Sequence, residues 1–66
     1  MKDVIVITAK NALGESRTAD IINPSCHDIL NEIEEATRVL GYGDMQLYIA
    51  LMEHAEKVAN RILKRK

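Results

Sequence analysis

The chain has 66 residues and a net charge of -1, with nine basic against ten acidic side chains. So short a chain buries only about 60% of the surface its unfolded form exposes, so one domain is the upper bound and an additional source of stability is required. The near-zero charge offers no global field for a polyanion and argues against a dedicated DNA-binding domain. Cys26 is the only cysteine, which excludes an internal disulfide and fits a reducing compartment. Apolar residues make up 47%, yet Tyr42 and Tyr48 are the only aromatics, so any core must be built from Ile, Leu, Val, Met and Ala. With disulfides excluded and no convincing metal motif, oligomerisation is the expected staple.

In chain order, Val4, Ile5, Val6 and Ile7 are four consecutive β-branched residues followed by Thr8, and side chains stiff at χ1 suit a pleated strand. A short strand is expected over 3–9. The apolar run is too short for a secretory leader or a membrane span, so a cytoplasmic protein without membrane contact is expected. No second run of this kind follows, so the strand is expected to pair with the same strand of another copy or to lie over the helices. Residues 10–23 are polar and mixed, with Gly14 as a turn, and are read as a loop with a functional or partner-ordered role.

Asn23-Pro24-Ser25-Cys26 signals a helix start: Pro24 suits the first helical position, and Ser25 with Asp28 offers a second capping choice. A helix over 24–40 is expected, with Cys26, Ile29, Ile33, Ala36 and Leu40 at alternating steps of three and four forming its apolar stripe. Gly41-Tyr42-Gly43-Asp44 should end it and start a second helix over 44–64, with Gly41 left-handed and Asp44 capping. A link this short predicts antiparallel neighbours. The expected architecture is therefore a mainly α single domain spanning 1–66, a short N-terminal β-strand followed by an antiparallel two-helix hairpin, oligomeric.

The second helix carries two apolar stripes, one through Tyr48, Met52, Ala55, Ala59 and Ile62 and one through Leu47, Leu51, His54 and Val58. One stripe suffices for the first helix. The excess predicts an oligomer interface through Leu47, Leu51 and Val58, joined by Val4 and Val6 of the strand. The basic residues Lys57, Arg61, Lys64, Arg65 and Lys66 are read as favourable partners of the helix C-terminal dipole.

Motifs for chemistry are thin. Cys26, His27 and Asp28 are of catalytic types, but neighbours on a helix lie about 100° apart and cannot converge on one atom. Cys26 is instead expected to be buried as a small hydrophobe. Glu53-His54-Ala55-Glu56 lacks the spacing of zinc-protease or di-iron motifs, and the three glycines do not form a phosphate loop. No catalytic residue, metal or cofactor is expected. The strand-helix-helix order is also compatible with a ribbon-helix-helix DNA-binding repressor, although the strand does not alternate polar and apolar residues.

The stretch from Ile49 to Leu63, with Ala50, Leu51, Glu53, Ala55, Ala59 and Asn60, resembles the closing helix of the phage anti-CBASS and anti-Thoeris hairpin family. That resemblance implies a homo-oligomer, typically a hexamer, that sequesters cyclic oligonucleotide immune signals without cleaving them. Phosphate would then need basic or hydroxyl groups, for which Lys10, Arg17 and Thr18 are the candidates by type and position. The family's ligand-stacking tyrosine precedes the first helix, where this sequence has no aromatic. The expected partners are thus further copies of the chain and either a small anionic ligand or a host protein to be blocked or bridged, with nucleic acid disfavoured.

Overall fold

The computed structural model describes residues 1–64; Arg65 and Lys66, the end of the basic cluster, lie outside the described residues. In chain order it contains β1 (Val4–Lys10), β2 (Ser16–Ile22), α1 (Cys26–Val39) and α2 (Asp44–Lys64). The sequence reading is corrected at residues 10–23: β2 occupies half of that segment and pairs antiparallel with β1, Val4 opposite Ile22 and Lys10 opposite Ser16. The first strand therefore finds its partner within the chain. Residues 11–15 form the tight turn between the strands.

Local hydrogen bonding explains that turn. The Asn11 side-chain oxygen accepts from the Leu13 and Glu15 backbone N–H groups, each at 3.0 Å, and Gly14 takes φ +90°, which a glycine adopts without a Cβ clash. The Asn11 amide then donates to the Val39 carbonyl at 2.8 Å and to the Glu15 carboxylate at 2.8 Å. One side chain thus shapes the hairpin tip and caps the end of α1. At the other end of the sheet Asn23, left-handed at φ 51°, donates its backbone N–H to the Asp3 carbonyl at 2.7 Å and accepts the Asp3 N–H on its side chain at 3.1 Å. Asn tolerates this conformation better than most residues.

Ile5, Ile7 and Ala9 face α1 together with Ala19 and Ile21 of β2, and Ala9 is the only buried apolar residue among those described. From α1 the half-buried residues are Ile29, Glu32, Ala36 and Val39 on one side, with Ile33 beside them at 38% exposure. The face is therefore rotated relative to the sequence reading. Val39 replaces Leu40, and Cys26 is exposed instead of buried.

The start of α1 also differs from the first choice made on sequence. Ser25, not the residue before Pro24, is the N-cap, so Pro24 precedes the helix; Ser25 Oγ accepts the Asp28 N–H at 3.1 Å and the Asp28 carboxylate accepts the Ser25 N–H at 3.0 Å. This reciprocal capping box satisfies two of the free donors of the first turn. It also lowers the Asp28 pKa from its ordinary 3.8, chiefly through the Ser25 backbone N–H, then its hydroxyl. α1 ends in a Schellman motif: Gly41, at φ +92°, donates to the Arg38 carbonyl and Tyr42 to that of Thr37, both at 3.0 Å. α2 begins at Asp44 as expected, but Gly43 and not Asp44 takes the capping position, its carbonyl accepting from Leu47 and its N–H donating to the Gln46 side chain at 2.8 Å.

The antiparallel helical hairpin is the larger correction. α2 projects away from the rest of the chain instead of lying along α1, and Leu47 is its only described residue that is not exposed. The physical reason is competition for one surface. A helix with a single apolar stripe can bury it once, and the β1–β2 sheet has taken that of α1. The result is a flat, open shape of 46 × 37 × 15 Å with a radius of gyration of 14.4 Å, against about 11 Å for a compact chain of this length.

Two tests follow. Replacing Asn11 with Ala removes both turn acceptor bonds and the α1 cap, and denaturant unfolding at fixed protein concentration should show a loss of about 1–3 kcal/mol. Because the Asp28 carboxyl is depressed on folding, its contribution is fully present above pH 3.8 and is lost as pH falls through the folded value. Melting curves below pH 4 should therefore fall less steeply for Asp28→Asn than for the parent, from a lower starting point.

Candidate interaction surface

The three candidate phosphate ligands do not converge. Alternation along the strands places Lys10 and Thr18 on the outer face of the sheet, where the Thr8 and Thr18 hydroxyls share a hydrogen bond at 3.2 Å. Arg17 is on the opposite face and reaches α1, its guanidinium donating to both carboxylate oxygens of Glu32 at 3.1 and 3.2 Å. This pair, 44% and 20% exposed at its two side chains, closes the side of the small core between β2 and α1.

A cleft beside it is lined by Glu15, Arg17, Thr18, Glu35, Arg38 and Val39, among others. Its two cations are balanced within the chain. Arg38 is 2.9 Å from Glu34, 3.6 Å from Glu35 and 3.8 Å from Asp44, and Arg17 is held by Glu32. A phosphate entering there would have to displace carboxylates. Among the described residues no group of three or more His, Cys, Asp or Glu side chains comes close enough to hold a metal ion, and Asp28 is committed to the α1 cap.

Uncovered apolar surface is the dominant feature. On the outer face of the sheet Val4, Val6 and Ile22 are 57%, 59% and 57% exposed. Along α2 both stripes are open: Leu51 and Val58 as expected for an interface, but also Tyr48, Met52 and Ile62, which the sequence reading assigned to contact with α1. Leu47 alone is partly covered, at the junction where Thr37 and Tyr42 approach it. Met45, Ile49 and Leu63 extend the apolar arc further and were not singled out on sequence; their positions on the flank of the stripe were the available signal.

The accessible surface measures the same effect. At 5738 Å², it exceeds by about 1500 Å² the roughly 4200 Å² expected of a compact 7.4 kDa monomer. No described helix is long and apolar enough to cross a membrane, so a bilayer-spanning role does not account for α2. No family model, no curated protein and no solved structure matches this chain.

The Arg17–Glu32 contact should behave as a partly exposed ion pair. A double-mutant cycle with Arg17→Met and Glu32→Gln should give a coupling of about 0.5–1 kcal/mol that shrinks in high salt. Coupling indistinguishable from zero at low salt would show that the guanidinium contributes by packing alone.

Proposed function

We propose that this chain is a non-enzymatic self-assembling module in which α2 joins copies of the chain through its apolar arc. The observation that supports this reading is the exposure of every residue but Leu47 of an amphipathic helix of 21 residues, in a chain with one buried apolar residue among those described. Such a chain has too little core to offset the ordering of its backbone, whereas covering α2 would supply the missing burial. The outer face of the sheet, with Val4, Val6 and Ile22, is a second contact available to a larger assembly.

The geometry favours assembly over capture of a small anion such as a cyclic oligonucleotide by a single chain. Arg17 is held by Glu32, Thr18 borders the same cleft but its hydroxyl is bonded to Thr8 on the outer face of the sheet, and Lys10 is on that outer face. A ribbon-helix-helix arrangement is also disfavoured, because its ribbon takes a single strand from each chain, whereas here β1 forms a hairpin with β2 of the same chain.

Light scattering on the purified chain should give a mass of two or more copies of 7.4 kDa. Leu51→Asp and Val58→Asp should each lower that mass and the cooperativity of melting, because a buried unpaired carboxylate costs several kcal/mol. A parent chain that stays at the single-copy mass at high micromolar concentration and still melts cooperatively would overturn the reading. Monomeric chain captured stoichiometrically by one host protein would instead favour a hetero-partner on the same surface.

A further inference from the structure

Charge is divided along α2 with no overlap. Its acidic residues, Asp44, Glu53 and Glu56, all precede its described basic ones, Lys57, Arg61 and Lys64. A parallel pair of such helices would set like charges side by side along its whole length. An antiparallel pair sets the acidic half of each copy beside the basic half of the other, and its helix dipoles also oppose. Building on the assembly reading above, we infer that the occupant of the α2 face is α2 of a second copy, packed antiparallel across a two-fold axis near Glu53.

The stripe supports a register. Tyr48, Leu51, Ala55, Val58 and Ile62 alternate in steps of three and four, the spacing that lets two helices mesh. With the axis near Glu53, Tyr48 of one copy meets Val58 of its partner and Leu51 meets Ala55, so large side chains face small or medium ones at each level. The same register carries the partner's last turn, with its Ile62 and Arg61, to the groove at the α1–α2 junction. That groove is lined by Glu34, Arg38, Asp44, Leu47, Tyr48 and Leu51. Arg38 there is the one cation among three carboxylates, Glu34, Glu35 and Asp44, all within 4 Å of it, so a second guanidinium arriving from the partner meets net negative charge. The chain as a whole carries about 1500 Å² more accessible surface than a compact monomer, part of it on α2, against the roughly 800 Å² per partner that a standard interface covers.

The test uses the full chain with Cys26→Ser and a single nitroxide label at Glu53→Cys or at Asn60→Cys, both on the polar side of α2. Each variant is first checked for the parent's mass and melting, and the shortest label-to-label distance is then read by pulsed electron resonance. In the antiparallel pair the Glu53 labels are level with one another, while the Asn60 labels are offset along the axis by about 21 Å, so the Asn60 distance should be the longer. Equal distances at the two sites would establish a parallel pair and overturn this inference while leaving self-assembly intact. An assembled chain with no dipolar coupling at Glu53 would place the interface elsewhere and overturn it too. A parent chain of single-copy mass would remove the assembly reading itself.

Discussion

Everything in this fold follows from the commitment of the one apolar stripe of α1. That stripe is narrow, interrupted by Glu32, and wide enough for a single neighbour. Once Ile5, Ile7 and Ala9 of β1 and Ala19 and Ile21 of β2 have been laid on it, α1 has nothing left for α2. The contest is settled locally. A hairpin with a five-residue turn closes at small entropic cost, and the helix that follows it directly in the chain covers its inner face. α2 is the last element and finds the surface occupied.

The Arg17–Glu32 pair and Asn11 make that commitment specific. Ala9 sits opposite Arg17 in the register, so the Arg17 side chain spans from sheet to helix where a small neighbour leaves room, with its charged end on Glu32. Asn11 binds the turn to the last carbonyl of α1, that of Val39. These polar contacts fix the angle between hairpin and helix in a unit whose hydrophobic core is too small to fix it by packing.

Much of the element pattern was legible in the sequence, and the parts that were not have definite causes. The β-branched run from Val4 to Ile7 and the periodicities of both helices announced a strand and two helices. β2 was concealed because its inward positions are Arg17, Ala19 and Ile21, so the alternation that marks a strand is carried by one large apolar residue, and its pairing with β1 supplies the preference its composition lacks. Asn11 and Gly14 held the clue, a short turn after an apolar strand, but a polar sequence downstream masked it. The antiparallel hairpin was a sound inference from a short link and failed because link length constrains proximity and not contact. Of the surface residues, Leu51, Val58, Val4 and Val6 were readable as apolar excess, whereas Arg17 could not be recognised as an internal ion pair without knowing which face of an unrecognised strand it occupied.

The four-residue link Leu40-Gly41-Tyr42-Gly43 joins two stiff segments and is held by backbone hydrogen bonds at its α1 end and by Gln46 at its α2 end. It works as the elbow of a lever. α2 is about 31 Å long, so a change of about 10° at Gly41 swings its far end by about 5 Å. In the assembly proposed above, small alterations in this one bend would be magnified in how the copies are oriented, whether they close on themselves or continue outward. The left-handed glycine that ends α1 is in this sense the joint at which the direction of α2 can be retuned by a single residue, with the hairpin and both helices left as they are.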